Sequence, residues 1–225
     1  MSKLPFASPS QPPKLKFCGI NDRHSLAFCI DNSVDYVGFV NFPQSPRHIE
    51  SSRIAESISF IKNTAKCNTK SVLLTVDMPF IELEALLRQT KPDLIQLHGD
   101  ESPQYCEKIK RNFGNIAIIK AFAINDQQDT LLYRDYSSLI DYILFDAKAK
   151  QGYSGGHGIK FNWDMLANNV LTKPLFLAGG ININNINQAI ASIAPYCLDI
   201  SSAIETTKGV KSIAKMTTII NTIKE

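Results

Sequence analysis

The chain has 225 residues, of which 44% are hydrophobic, so it can bury a sizeable core and is not a disordered chain. Its 24 basic and 21 acidic residues leave a net charge of +3 without a long run of either sign, so nothing points to a nucleic-acid or membrane surface, and any bound anion should be small. Five widely separated cysteines with no C-x-x-C pair indicate neither a disulfide framework nor a zinc site; no metal is expected, and a reducing cytoplasm is the natural compartment.

Residues 1–14, MSKLPFASPSQPPK, are rich in proline and serine and lack the apolar core of a signal peptide, which predicts a loose N-terminal arm. Residues 15–225 then read as a single domain in which short apolar runs alternate with amphipathic stretches. The runs LKFC (15–18), VDYVGFV (34–40), SVLLTV (71–76), DLIQLH (93–98), IAIIKAF (116–122), DYILF (141–145), PLFLA (174–178) and CLDIS (197–201) predict eight buried strands. Segments 22–32, 49–63, 80–89, 102–112, a short 161–167, 182–194 and 212–225 predict helices with one buried stripe; Ile54, Ile58 and Ile61 show the three-and-four spacing. Residues 126–140 are less regular. Strands regularly separated by helices make a parallel sheet. Eight such units fit a closed (β/α)8 TIM barrel, whereas an open doubly wound sheet of five or six units would leave elements over. No segment is long and apolar enough to span a bilayer.

In such a barrel the chemistry gathers at the carboxyl ends of the strands. Those ends carry Cys18-Gly19, NFPQSPR (41–47), Asp77, His98-Gly99, Asp146, Gly179-Gly180 and Ser201-Ser202. In LFLAGGININNI a strand ends in two glycines and a helix is expected to begin at the asparagines, leaving backbone N–H groups to face an anion. DISSAIE adds two hydroxyls and more backbone donors. Either pair alone reads equally well as a tight turn; together, after the last two strands, they favour phosphate. The glycine-rich AKAKQGYSGGHGIKFNW (147–163) reads as a lid beside Asp146 rather than a surface insertion.

Asp146 tops the apolar strand YILF, where partial burial would keep a proton on it for use as a general acid. Asp77 competes for that role, but Pro79 follows it at the start of a helix, which makes an N-cap the better reading. Arg47, stiffened by Pro46, has the fork to clamp a carboxylate, or it is merely solvated; His98 is a satisfied structural histidine or a site residue. Cys29, Cys106 and Cys197 read as inert core fillers. Cys18 stands at the rim of the first strand with Lys16 on the same face. An ammonium there favours thiolate, which would bring the thiol toward neutrality and make it a base.

The stretches KFCGI, VDYVGFVNFPQSPR, LIQLHGDE, FDAKAKQGYSGGHGIKFNW, LAGGININNINQAI and LDISSAIETTKGVK, in this order from residue 15 to about 212, resemble the phosphoribosylanthranilate isomerase family of tryptophan biosynthesis. The resemblance implies an isomerase that converts N-(5-phosphoribosyl)anthranilate to 1-(2-carboxyphenylamino)-1-deoxyribulose 5-phosphate by an Amadori rearrangement, without cofactor. It implies Cys18 as general base and Asp146 as general acid. Arg47 is implied at the anthranilate carboxylate, His98, Gly156 and Gly158 at the substrate, and Gly179, Gly180, Ser201 and Ser202 at the phosphate. A monomer or homodimer acting on a small phosphoribosyl molecule is expected. Four positions depart from the family pattern: Ala203 in place of glycine, His157 of serine, Asn162 of aspartate and Ser212 of aspartate. The Ala203 methyl would crowd the phosphate or restrict the turn. Two alternatives stand beside this reading. One is another phosphosugar isomerase or epimerase, for which an aspartate rather than Cys18 is expected on the first strand. The other is a barrel that binds a phosphate ligand without catalysis.

Overall fold

The structure, a computed structural model, describes residues 12–147, 166 and 171–224. Eight parallel strands close on themselves in the order β1 to β8: Lys14–Cys18, Tyr36–Val40, Lys70–Thr75, Leu94–Leu97, Ala117–Ile124, Tyr142–Ala147, Leu175–Leu177 and Cys197–Ile200. Each predicted run forms its strand, and the pairing of β1 with β8 seals the cylinder. Outside it lie α1 (Arg23–Asp31), α2 (Ser51–Asn63), α3 (Phe80–Thr90), α4 (Pro103–Asn112), α5 (Ile186–Ile193) and α6 (Ile213–Lys224). A two-stranded hairpin, β9 (Glu205–Thr207) with β10 (Val210–Lys211), rises from the loop after β8.

Alternation along the strands divides the apolar residues into two cores. Phe17, Val37, Leu73, Ile95 and Phe145 face outward and meet the buried helix stripes, Ile54, Ile58 and Ile61 of α2 among them. Tyr36, Val72, Leu94, Ile119, Leu144 and Phe176 fill the cylinder. Its amino-terminal end is stoppered by aromatic rings: Phe176 meets Tyr36 and Tyr142 edge-on at 5.2 and 5.3 Å, and Tyr142 stacks on Tyr196 at 5.6 Å. The Tyr36 and Tyr196 hydroxyls, 3.0 Å apart, satisfy each other. Local signals set the helix starts: the Asp22 carboxylate accepts from Ser25 N–H, and Ser102 caps α4 ahead of Pro103.

Four expectations change. Residues 129–136 of the less regular segment form a 3-10 helix. β6 runs on through Asp146, so this residue lies within a strand and not after it. α5 begins at Ile186 and not at the asparagines. Asn182 and Asn185 turn their side chains onto local backbone, with both amides donating to Gly180 O at 2.9 Å, and this competes with helix formation. Asp77 does not cap α3. Pro79 occupies that position, and a left-handed φ of 45° at Asp77 turns its carboxylate to the next loop, where it accepts from Asp100 N–H at 2.6 Å. The predicted lid and nearly all of the short helix at 161–167 lie outside the described residues, as do residues 1–11 of the predicted arm.

Phe176 is fully buried. Phe176→Ala is expected to cost about 3–5 kcal/mol, read as a lower urea midpoint with an unchanged slope.

Candidate active site

β1 sends Phe17 outward and Lys16 and Cys18 into the barrel. Cys18 is 6% exposed and packs with Val40 and Leu74 at the carboxyl-terminal mouth. Its register partner on β2 is Gly38, and a Cβ there would stand 2.8 Å from the sulfur and 3.3 Å from Lys16 Cε. Glycine is therefore what leaves room for the thiol. One level below, Lys16 Nζ meets Asp199 Oδ2 at 2.8 Å, across the β1–β8 seam where the two residues are register partners. Burial works against the Lys16 ammonium, but Asp199, with Cys18 beside it, holds its pKa above the ordinary lysine value.

The expectation of a thiol near neutrality is not met. Burial pushes the Cys18 thiol above its ordinary value; Lys16 and Lys211 pull it down, Asp199 pushes it up, and burial prevails. Lys16 acts in the expected direction but is already shared with a carboxylate. Cys29, Cys106 and Cys197 are fully buried, and burial pushes Cys29 up to about 12 and Cys106 up to about 11.

Across the mouth, Asp146 lies on the face of β6 that Leu144 uses, so it points into the cylinder; its side chain is 16% exposed. His98 Nε2 stands 3.5 Å from Asp146 Oδ2. Gln96 Nε2, on the preceding inward position of β4, lies 2.9 Å from His98 Nδ1. With the amide donating, the hydrogen-bond network assigns the ring proton to Nε2, facing the Asp146 carboxyl group. The loop that carries His98 is anchored by Glu101. This carboxylate accepts from Gly99 and Asp77 N–H and pairs with Lys120 at 3.1 Å. Gly99 has no side chain because a Cβ would collide with the Asp77 carboxylate.

Gly179 and Gly180 end β7 in left-handed conformations, φ 80° and 78°. Among the described residues their N–H groups and that of Ser202 meet no acceptor. With α5 starting later than expected, these turn amides, and not a helix N-terminus, are the donors at hand. Ser201 Oγ donates to Cys18 O at 3.0 Å, which ties the turn after β8 to the rim of β1. Ala203 sits in a short 3-10 helix without positive φ, and its methyl packs on the outer core; the turn is not restricted. Ser212 Oγ accepts from Lys215 N–H at 3.4 Å at the start of α6, as an aspartate there would.

Arg47 is not solvated. It is 8% exposed, and the carboxylate its fork clamps is internal: Nε and Nη2 donate to Glu205 Oε1 and Oε2 at 2.7 and 2.8 Å. Lys211 Nζ adds a third bond to Glu205 at 2.8 Å and reaches Ser201 O at 3.2 Å. Burial pushes the Glu205 carboxyl up, yet Arg47 and Lys211 hold it below the usual range; the Lys211 ammonium is lowered, chiefly by burial. Gly156 and Gly158 lie outside the described residues. The structure thus gathers Cys18, Asp146, His98, Arg47, both glycines and both serines at one mouth. It adds Gln96 and Asp199, whose only signal in the sequence is a polar or charged residue inside an apolar run, and Glu205 and Lys211, which lie outside those runs and carry no such signal. A thiol and a carboxyl group facing one barrel interior, beside turns with unpaired amides, can exchange protons with a small molecule held at the mouth. Among the described residues no group of three or more His, Cys, Asp or Glu side chains has metal-holding geometry.

Comparison with known proteins bears on that chemistry. Residues 15–222 match the family model described as N-(5'phosphoribosyl)anthranilate (PRA) isomerase. The chain is 36% identical over 209 residues to N-(5'-phosphoribosyl)anthranilate isomerase of Allorhizobium ampelinum, covering 91% of this chain and 90% of that one. It is 34% identical to that of Beijerinckia indica, covering 95% of each. The phosphoribosyl anthranilate isomerase structure from Thermotoga maritima superposes with a TM-score of 0.82 at 26% identity, over 94% of this chain and 98% of that one.

Because Lys16 opposes burial at Cys18, Lys16→Met is expected to raise the thiol pKa further. The pH dependence of iodoacetamide labelling at Cys18, read by peptide mass spectrometry, should shift to higher pH than in the wild type, whose own thiol burial already raises above its ordinary value.

Proposed function

The chain belongs to the N-(5'-phosphoribosyl)anthranilate isomerase family, and from that membership we propose that Cys18 and Asp146 carry the two proton transfers of the reaction. The enzyme catalyses the Amadori rearrangement of N-(5-phosphoribosyl)anthranilate to 1-(2-carboxyphenylamino)-1-deoxyribulose 5-phosphate, a step of tryptophan biosynthesis. Asp146 protonates the ribose ring oxygen, and the ring opens to an iminium. The Cys18 thiolate removes the proton from C2′, and the enolamine tautomerises to the ketone. One proton leaves a carboxyl group and one arrives at a sulfur, so the protein's total protonation is unchanged. In the tautomerisation the enol hydroxyl gives up its proton as C1′ takes one, so substrate and product are isomers and no oxidant is consumed; proton exchange through the mouth then restores the thiolate and the carboxylic acid.

The observation that carries this reading is the convergence of Cys18 and Asp146, from strands β1 and β6 with β7 and β8 between them, on the interior of one mouth. His98, protonated on Nε2, steadies the Asp146 carboxyl group between its acid and base forms. The Gly179-Gly180 and Ser201-Ser202 turns hold the phosphate, and the edge of Arg47 that Glu205 leaves free receives the anthranilate carboxylate. Residues 15–225 act as one catalytic unit on this small molecule, as a monomer or a homodimer. Five cysteines without a disulfide support a reducing compartment such as the cytoplasm.

Cys18→Ser and Asp146→Asn are each expected to lower kcat by about 10² to 10⁴-fold while still binding the reduced product analogue 1-(o-carboxyphenylamino)-1-deoxyribulose 5-phosphate. Turnover followed by loss of anthranilate fluorescence reads the first, and calorimetry the second. Near-wild-type kcat in either variant removes that residue from the mechanism.

A further inference from the structure

Two buried residues join the sites assigned to the two charged ends of the substrate. Glu205 and Lys211 are cross-strand partners in the β9–β10 hairpin, and both are at least nine-tenths buried. Glu205 accepts both hydrogen bonds of the Arg47 fork and one from Lys211. Lys211 also donates to the Ser201 carbonyl at 3.2 Å and lies 3.4 Å from its hydroxyl, and that hydroxyl holds the Cys18 carbonyl. A continuous chain of bonds therefore runs from the arginine after β2, through the hairpin, to the turn after β8 and the end of β1.

The hairpin is wedged where it has to be for this. Gly209 turns it with φ 84°, and any Cβ there would strike the Pro46 carbonyl. The Gly209 carbonyl accepts from Asn21 Nδ2 at 3.0 Å. Three loops, after β1, β2 and β8, thus close around one carboxylate. Two cations against that carboxylate leave a surplus positive charge buried behind the phosphate turn, where a low dielectric keeps its field strong.

Resting on the function proposed above, we infer that Lys211 and Glu205 are positioning residues that lock the phosphate turn to the carboxylate-binding arginine and so fix the span between the substrate's two anionic ends. Neither is placed to touch the substrate. Glue between loops would explain the same contacts, but it would act only on stability. A lock also acts on binding of the folded enzyme.

Lys211→Met separates the two. It leaves Arg47 and Glu205 as a neutral pair, so no unpaired charge is buried. The full-length variant is expected to show a KM raised about tenfold or more and a Kd for inorganic phosphate raised by a similar factor, with kcat lowered as well because Lys211 also favours the Cys18 thiolate. If that variant does not fold, Lys211→Gln, which likewise leaves Arg47 and Glu205 as a neutral pair, is measured in its place with the same expectation. A folded variant with wild-type KM and phosphate Kd, even at a lowered melting temperature, overturns the lock. So does a loss confined to kcat. The phosphate measurement stands apart from catalysis: a wild type that binds phosphate without isomerising the substrate would refute the proposed function and leave the lock to be judged on Kd alone.

Discussion

The seam between β1 and β8 is the constraint on which the site depends. Closing the cylinder there puts Lys16 beside Asp199 in register, and the ion pair they form is buried. Removing two charges from water costs several kcal/mol per ion, and their attraction recovers that only with good geometry. The 2.8 Å contact has such geometry, but one Asp199 oxygen has no partner among the described residues. The pair is therefore a poor device for stability alone. What it does accomplish is to keep a fixed cation directly beneath Cys18, the stronger of the two that favour its thiolate.

The acid–base assignment needs a sulfur without its proton and a carboxyl group with one, the reverse of what the two side chains prefer in water. The protein works on this with charge placement. Lys16 and Lys211 both favour the thiolate against burial and Asp199. Summed over Lys16, Asp199, Arg47, Glu205 and Lys211, the buried side chains carry three positive and two negative charges. A thiolate at Cys18 brings that group to neutrality. Lys211, one of these cations, also stands against Ser201 in the turn after β8.

The strands were legible because each is a short run of apolar residues bounded by polar or turn residues, and eight of them leave one closed architecture. The mouth was legible for the same reason, since it is where those runs end. Misreadings came where side chains answered local backbone. Asn182 and Asn185 look like a helix start and instead cap their own turn. Asp77 looks like an N-cap, but a left-handed backbone turns it to a neighbouring loop. Arg47 illustrates the other limit: its partner is 158 residues away, and no spacing in the chain announces a pair that only barrel closure creates. The thiol pKa was misjudged because the strand pattern shows that Lys16 is near, but not how deeply both groups are buried or that Asp199 is there first.

The aromatic stopper at the amino-terminal end makes the barrel a vessel with a single doorway. With Phe176, Tyr36, Tyr142 and Tyr196 interlocked below, the described residues close the way to the sulfur from underneath. On the proposed mechanism, a hydrogen collected at Cys18 shares its exit with the product. Its trade for one from bulk water then takes place at the mouth alone, which makes isotope washout a gauge of solvent entry on that side.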